Sequence, residues 1–311
     1  MSQAEIHFAP LQGYTDKTYR MVFNQCFEGV SYFYTPYLSV DNSNEIKSFD
    51  DLVEIGDEMK SKTIPQVLPA NLAELKVLAK VLSQLNFKRI NLNTGCPYPM
   101  VTNKGRGSAL IAKPELVRDM IRFLNDNYQF DISLKTRAGL ENSHDIFTLL
   151  EKLTGEPIST IILHPRVAKQ LYKGEADVAI YSECLTRFSN FDWIYNGDIV
   201  DYEGFSEKQL LLPQQQKWMM GRGLLKNPLL IKQIRNCLVD KIGNELLIKI
   251  DFAHRLVKSI IADSKNKEHA LNKSKVQLIM LFGESDETQK VAKKIKKAKS
   301  IDDVFSILYG I

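Results

Sequence analysis

Residues 89–97 read Arg-Ile-Asn-Leu-Asn-Thr-Gly-Cys-Pro, which joins a short apolar run to a turn of glycine, cysteine and proline. The first five of these residues have the length and composition of a buried β-strand. Residues 114–124 then begin with proline and repeat apolar side chains at the spacing of one helix face. This strand-then-helix unit recurs in both directions along the chain, which is typical of an α/β protein with a parallel sheet.

Eight short apolar runs, most of them followed by helical periodicity, are predicted as strands. They cover residues 6–9, 30–35, 63–68, 89–93, 132–136, 160–164, 193–196 and 217–220. Eight strands alternating with helices in about 230 residues predict an α/β fold of the (β/α)₈ TIM-barrel type. A doubly wound open sheet is the alternative, but no GxGxxG motif follows the first strand to favour it.

The strand pattern ends after residue 234, and the tail is predicted to be helical over 251–264, 272–282, 288–298 and 302–308. We therefore expect a TIM-barrel domain over 1–238 and a C-terminal all-α helical domain over 239–311, with the boundary near 237–244. We further expect the barrel to fold without the tail. Residues 199–216 lack helical apolar spacing, so the helix between the last two strands is expected to be short or irregular.

The composition is that of an ordinary globular protein, with 44% hydrophobic and 25% charged residues. No apolar run approaches the roughly 20 residues that span a bilayer, and the first residues do not resemble a secretory signal. We expect a soluble, cytoplasmic protein that is a monomer, although the sequence does not reveal its oligomeric state. Cys26, Cys96, Cys184 and Cys237 form no CxxC pair, which argues against a zinc site or a disulfide framework.

The positive charge of the chain is concentrated in the tail. Residues 239–311 carry 14 Lys and Arg against 10 Asp and Glu, while the preceding residues carry 27 of each. Such asymmetry indicates a polyanionic partner, although a solvated lysine-rich helix face is the simpler alternative. The lysines concentrate in residues 290–299, where Val291, Ile295 and Ala298 mark one apolar side of a helix.

Residues that are unusual for a neutral scaffold lie at the ends of successive predicted strands, where TIM-barrel enzymes have their active sites. They are Pro10, Leu11 and Gln12 with strand one, Gln66 with three, Asn93 and Cys96 with four, Lys135 and Arg137 with five, His164 and Arg166 with six, Asn196, Gly197 and Asp198 with seven, and Gly221, Arg222 and Gly223 with eight. Each alone is more often a packing or solubility feature. Together they indicate a functional site, because buried charges are costly unless they are used.

This set of residues fits a flavin mononucleotide, FMN. Arg222 between two glycines after the last strand offers a guanidinium and backbone N–H groups for a phosphate. Gln66 and His164 are candidates for holding the rest of the cofactor. Lys135 beside the ring would stabilise the negative charge of the reduced flavin.

At these residues the chain resembles the tRNA-dihydrouridine synthases over nearly its whole length. The ordered motifs are Ala9-Pro10-Leu11 with Gly13 and Thr15-Asp16, Asn93-x-Gly95-Cys96-Pro97, Gly107-Ser108-Ala109-Leu110, Lys135-x-Arg137-x-Gly139, His164-x-Arg166 followed by Tyr172, Asn196-Gly197-Asp198-Ile199, and Met220-Gly221-Arg222-Gly223 with Asn227-Pro228. The Asn-x-Gly-Cys-Pro element is the most specific of these.

The resemblance implies an FMN-dependent enzyme, reduced by NADPH or NADH, that converts a uridine of tRNA to 5,6-dihydrouridine. Reduced flavin would deliver hydride to carbon 6, and Cys96 would protonate carbon 5. Asn93 and Arg137 would hold the target base. The flavin would be held by Pro10, Leu11, Gln12, Gln66, Lys135, His164, Asn196, Gly197, Asp198, Gly221 and Arg222. No metal is implied, and the tail would bind tRNA.

Two other functions fit parts of the sequence. The first is an FMN-dependent barrel oxidoreductase that acts on a free pyrimidine, which needs no basic tail. The second is a non-enzymatic tRNA-binding protein on a degenerate barrel, against which the presence of Cys96, Lys135 and His164 argues.

Overall fold

The computed structural model of the protein describes residues 4–41, 45–53, 55–235, 245–283 and 286–310. Within these residues, eight strand positions alternate with helices along the barrel part of the chain. The barrel strands are β1 Glu5–Phe8, β2 Val30–Tyr34, β3 in two pieces, β4 Arg89–Thr94, β5 Asp131–Gly139, β6 Thr160–Val167, β7 Asp192–Tyr195 and β8 Lys217–Met220, and a separate antiparallel sheet pairs Ser39–Val40 with Ile46–Lys47.

All the neighbouring barrel strands pair in parallel, and β1 pairs with both β2 and β8. The two pieces of β3, Thr63–Ile64 and Gln66–Val67, lie on either side of Pro65. The first piece pairs with β2 and the second with β4, so the ring closes at this strand. Proline lacks a backbone N–H and interrupts the ladder there. The predicted (β/α)₈ barrel with C-terminal helices is confirmed.

Fourteen α-helices lie within the described residues. In the barrel part they are α1 Lys17–Cys26, α2 Gly56–Lys62, α3 Leu72–Gln84, α4 Pro99–Thr102, α5 Pro114–Tyr128, α6 Asp145–Leu153, α7 Val178–Arg187, α8 Tyr202–Leu211, α9 Arg222–Lys226 and α10 Leu230–Ile234. The tail helices are α11 Glu245–Asp263, α12 Lys267–Phe282, α13 Asp286–Lys297 and α14 Ile301–Tyr309. Asp16, Asn71 and Asp177 begin their helices by accepting a backbone N–H with the side chain.

The helix between β7 and β8 corrects the expectation of a short or irregular segment. α8 is regular over ten residues, and Asp201 caps it by accepting the Gly204 N–H at 2.7 Å. Phe205 is its one buried residue, and its ring packs at 5.3 Å from Trp218. Leu210 and Leu211 face solvent. A single buried residue gives no repeating pattern of apolar positions, which is why the sequence did not predict a regular helix here.

The inside of the barrel is filled below the site. Ala9, Tyr34, Ile64, Ile162, Ile194 and Met219 form a separate buried cluster. Near the opposite end, His7 contacts Tyr34 and Glu5, at 3.2 and 2.7 Å respectively. Among the described residues, the interior of the barrel is therefore a packed core, and the pockets that contain the predicted site residues open at the carboxyl ends of the strands.

The tail and the barrel share one hydrophobic core. Phe252 of α11 packs against the aromatic rings of α1 and the residue after it, with centroid distances of 5.8 Å to Tyr19, 6.2 Å to Phe23 and 5.1 Å to Phe27. Removing the tail would expose these rings, which argues against the expectation that the barrel folds alone. The predicted boundary at 238/239 and Cys237 lie outside the described residues, so the division into two domains stays a prediction.

The lysine-rich helix α13 has one buried face. Val291, Ala292 and Ile295 of the helix and Ala298 directly after it are buried, while Lys293, Lys294, Lys296 and Lys297 are exposed. The helix thus packs on its apolar residues and presents its cations to solvent. Among the described residues, no helix has the length and apolar character needed to cross a membrane.

Candidate active site

Two adjoining pockets open at the carboxyl ends of the barrel strands, and together they contain all the residues predicted to bind the cofactor, to bind the substrate or to donate the proton. The Gly221 pocket is lined by Pro10, Leu11, Lys135, His164, Asn196, Gly197, Asp198, Gly221 and Arg222. The Cys96 pocket is lined by Gln12, Gln66, Asn93, Cys96 and Arg137, and it shares Pro10, Leu11, Lys135, His164 and Arg222 with the first. The shared residues form the passage between the two pockets.

A chain of buried amides runs across the floor of the Cys96 pocket. Gln66 donates to Asn91 at 2.7 Å, and Asn91 donates to the Ser133 hydroxyl at 2.9 Å. Asn93 donates through Nδ2 to Gln66 Oε1 at 2.7 Å. These bonds fix the orientation of both Gln66 and Asn93, and buried amides that are satisfied in this way are rigid.

Asn93 also holds the turn that carries Cys96. Its Oδ1 accepts the backbone N–H groups of Gly95 and Cys96, each at 3.0 Å. The family resemblance implies that Asn93 holds the target base. Its carbonyl oxygen instead serves the Cys96 turn, which leaves only the second hydrogen of Nδ2 for a base.

Gly107 and Ser108 support the Cys96 turn from behind. The Ser108 N–H donates to the Cys96 carbonyl at 3.0 Å. Gly107 has a φ of +60°, and a Cβ there would lie 2.6 Å from the same carbonyl oxygen. Only glycine fits this position without moving Cys96.

The Cys96 side chain is half-buried at the pocket wall. Burial raises the pKa of its thiol above the ordinary value, although the Tyr98 backbone N–H and the cations of Arg137 and Lys135 oppose the shift. The thiol therefore keeps its proton at neutral pH. A protonated thiol is a suitable acid and a poor nucleophile, so the site favours proton donation.

Lys135 lies where the two pockets meet. Burial, and then the nearby Arg137 guanidinium, lowers the pKa of the ammonium group to about 7. Among the described residues, none forms a hydrogen bond or ion pair with this ammonium. An unpaired cation of this kind is costly unless an anionic or strongly polar ligand compensates it.

Asp198 lines the Gly221 pocket but is largely occupied by protein partners. Its carboxylate forms two 2.7 Å bonds with the Arg166 guanidinium and also accepts the Ala176 N–H at 2.8 Å. Its backbone has a φ of +48° in the left-handed region. The resemblance implies a flavin contact for Asp198, whereas the geometry shows its carboxylate holding Arg166.

Tyr172 is a site residue outside the predicted set, although it follows the His164-x-Arg166 motif in the sequence. It lines both pockets. The Arg222 guanidinium lies 4.2 Å from the centre of its ring and that of Arg137 lies at 5.6 Å. Arg137 also donates to the Val167 carbonyl, at 3.0 Å, and to the Leu171 carbonyl, at 2.7 Å. Arg137 thus positions the loop that carries Tyr172.

The tail contributes to the Cys96 pocket as well. Met280 of α12 lines it, together with Tyr14 and Leu225. One turn earlier, Gln277 donates to the Tyr14 carbonyl at 2.7 Å. No local motif marks Met280, because its place depends on how the tail packs on the barrel.

The residues present fit an anionic flavin cofactor. Lys135, Arg137 and Arg222 bring cationic groups to the two pockets, while Asp198 brings a carboxylate that Arg166 already neutralises. The Lys135 ammonium has no partner among the described residues. A buried cation of this kind would be stabilised by such a ligand, which is the strongest argument for the fit. No group of His, Cys, Asp and Glu within the described ranges is arranged to hold a metal ion.

Two solved structures have a similar fold. An old yellow enzyme from Trypanosoma cruzi superimposes with a TM-score of 0.54 at 10% identity, over 75% of this chain and 88% of that chain. A 2-naphthoyl-CoA reductase superimposes with a TM-score of 0.55 at 8% identity, over 75% of this chain and 50% of that chain. At such low identity these likenesses establish the barrel fold alone.

Sequence comparison is more specific. The chain is 24% identical over 249 residues to a probable tRNA-dihydrouridine synthase of Treponema pallidum (strain Nichols), covering 76% of this chain and 72% of that protein. It is 28% identical over 230 residues to tRNA-dihydrouridine synthase B of Pseudomonas aeruginosa, covering 73% and 67%. A tRNA-dihydrouridine(47) synthase [NAD(P)(+)]-like protein of Arabidopsis thaliana is 28% identical over 148 residues, which are 47% of this chain and only 21% of that protein. Residues 7–303 match the family described as Dihydrouridine synthase (Dus), and the chain therefore belongs to the dihydrouridine synthase family.

Proposed function

We propose that this protein is an FMN-dependent tRNA-dihydrouridine synthase that uses NADPH or NADH as reductant. The observation that carries the proposal is the half-buried Cys96 side chain, held by Asn93 on its turn beside a cationic pocket in a member of this family. When bound, the cofactor would supply a hydride to carbon 6 of the uracil.

The chain would hold this cofactor across the passage between the two pockets. Arg222 and the adjoining glycines suit its phosphate, because a guanidinium and free backbone N–H groups bind phosphate oxygens. Lys135 suits an electron-rich ring edge, where its charge would stabilise added electron density. Asp198 would act indirectly, through Arg166.

Cys96 would complete the reduction as the general acid. Its S–H bond breaks as a new C–H bond forms at carbon 5, and the resulting thiolate recovers a proton from water. The raised pKa of the thiol keeps it in the acid form before transfer. Asn93 and Gly107 would keep its sulfur at a fixed position relative to the substrate.

The substrate would reach this site as an extruded base. A uridine within folded RNA must leave its stack to enter a barrel pocket, which costs least in a loop. The exposed lysines of α13 would contact phosphates and orient the RNA. Met280 supports this arrangement, because it joins the tail to the pocket that would receive the base.

Stopped-flow records of flavin absorbance test the role of Cys96. In Cys96→Ala, reduction of the flavin by NADPH should keep nearly the wild-type rate, since it needs no proton donor to uracil. Reoxidation by tRNA should slow by about 10²–10⁴-fold, the usual loss on removing a general acid. Cys26→Ala is the control, because Cys26 ends α1 away from both pockets. An unchanged tRNA half-reaction in Cys96→Ala would remove this thiol from the mechanism.

A further inference from the structure

The contact of His164 with Arg166 determines which of its two ring nitrogens accepts a hydrogen bond and which one donates. Its Nε2 lies 3.1 Å from Nη1 of Arg166. A guanidinium can only donate hydrogen bonds, so Nε2 must be the acceptor and must carry no proton. A neutral imidazole then carries its one proton on Nδ1. No described residue forms a hydrogen bond with Nδ1, and His164 lines both pockets.

Arg166 has little freedom to release this contact. The same Nη1 and its neighbour Nη2 form the two 2.7 Å bonds to Asp198. Nη2 also donates to the Gly174 carbonyl. The side chain is only 3% exposed, so its charge-assisted bonds are shielded from water.

The surroundings also oppose a second proton on His164. Lys135 and Arg137 from β5, Arg166 from β6 and Arg222 from α9 all face the ring, and the Asp198 carboxylate is paired with Arg166. The Tyr172 ring lies 6.2 Å away. Burial and then these cations hold the pKa of His164 well below its ordinary value.

We propose that Arg166, held by Asp198, is a positioning residue that keeps His164 as a neutral Nδ1–H donor facing the pockets. The group bound beside His164 must then be a hydrogen-bond acceptor, such as a carbonyl, phosphate or ring-nitrogen acceptor. The identity of that ligand as cofactor rests on the proposed function, but the tautomer does not. Asp198 and Arg166 thereby act on the ligand without touching it.

Imidazole ¹⁵N NMR measures this property directly in the full chain. Histidine is labelled with ¹⁵N, and the His164 signals are assigned from their absence in His164→Asn. We expect a proton on Nδ1 and a bare Nε2, unchanged between about pH 5.5 and 8 and with or without FMN. A proton on Nε2, or protonation of the ring within that range, would overturn the proposal.

Two variants test whether Arg166 causes the tautomer. Asp198→Asn keeps the guanidinium and should keep the Nδ1–H form. The double variant Arg166→Met with Asp198→Asn removes both charges together, so that neither is left buried alone. Without a donor at Nε2, the His164 signals of the double variant should show a mixture of two tautomers, with the proton on Nδ1 in some molecules and on Nε2 in others. Exclusive Nδ1–H in a folded double variant would contradict the role of Arg166, and the wild-type spectrum decides the tautomer even if this variant misfolds.

Titration with FMN tests what the donor recognises. His164→Gln keeps an N–H donor, while His164→Leu removes it at similar volume. Removing one hydrogen bond costs about 1 kcal/mol, so FMN should bind roughly fivefold more weakly to His164→Leu than to His164→Gln. Equal FMN affinities with unequal affinities for tRNA would assign the donor to a uracil carbonyl instead. Equal affinities for both ligands would refute the recognition of an acceptor by His164.

Discussion

At the scale of single residues, the sequence could place chemistry at the strand ends but could not tell which side chains already had partners. From the sequence alone, Lys135 and Asp198 are both predicted to contact the cofactor with a charged side chain. The structure separates them, because Lys135 has no described partner while Asp198 pairs with Arg166. Arg166 follows His164 by two residues, so strand alternation predicts a shared face, but the pairing of Arg166 with Asp198, 32 residues away in sequence, depends on the barrel.

Lys135 should make FMN binding depend on pH. Its pKa of about 7 without ligand means that the ammonium loses its charge as the pH rises through neutrality. Electron-rich acceptor atoms of the flavin ring beside Lys135 favour the charged form, so binding takes up as much as one proton and the affinity for FMN falls from about pH 6 to 8.5. Lys135→Arg stays charged and serves as the control for titration of the phosphate itself. Parallel pH profiles of wild type and Lys135→Arg in equilibrium titrations would contradict this assignment.

Gly107 should matter for the proton transfer and not only for stability. Gly107→Ala forces a residue into left-handed backbone, which costs about 1–2 kcal/mol, and pushes on the Cys96 carbonyl. Gly155→Ala is a matched control, since Gly155 has a φ of +82° with no atom within 4 Å of the added Cβ. Both variants should lose stability in denaturant unfolding, Gly107→Ala the more because of its clash, but only Gly107→Ala should slow flavin reoxidation by tRNA. Equal reoxidation rates in the two variants would show that Gly107 does not position Cys96.

At the scale of secondary structure, periodicity was a good guide where one face of an element is buried. It predicted α5 and the four tail helices, but it failed for α8, which relies on Phe205 alone. The sequence pattern also ended two strands too early, at the point where polar site residues begin. β5 continues to Gly139 and β6 to Val167, paired through Arg137 and His164. Polar residues that a site requires hide the end of a strand from a hydrophobicity pattern.

The packing of α11 on α1 gives a prediction about stability. Phe252 is buried among three aromatic rings, so Phe252→Ala should lower the free energy of unfolding by about 3–5 kcal/mol. Leu247→Ala in the same helix is the control, because Leu247 is 63% exposed and should change stability little. Urea denaturation of both variants makes the comparison. A decrease below about 1 kcal/mol for Phe252→Ala would mean that the tail is loosely attached to the barrel.

At the scale of the whole molecule, the structure shows how the positively charged tail is placed relative to the barrel and its pockets. The tail shares the barrel core, lines the Cys96 pocket through Met280 and exposes the lysines of α13. The sequence predicted a basic helix but not the place of Met280 in the pocket, because that place depends on packing between residues far apart in the chain. One rigid arrangement of this kind would place an RNA bound by the lysines at a set distance from Cys96.

The α13 lysines should contribute to tRNA binding through counterion release. Lys293→Ala combined with Lys296→Ala should weaken tRNA binding and reduce the slope of log affinity against log salt by about 0.7–0.9 for each phosphate that the variant no longer neutralises. The control, Lys80→Ala with Lys88→Ala, removes two exposed lysines from the barrel side. Filter binding at several salt concentrations measures both slopes. If the two double variants give the same slope, α13 is a solvated helix face and does not bind RNA.

Mass spectrometry of tRNA measures whether the protein reduces a uridine of tRNA. Unmodified tRNA transcripts are incubated with the purified protein, FMN and NADPH, and their nucleosides are then analysed. We predict a uridine that gains the mass of two hydrogen atoms with the wild-type protein and far less of it with Cys96→Ala. No such gain in any tRNA, or reduction of free uracil or a related free pyrimidine instead, would contradict the claim.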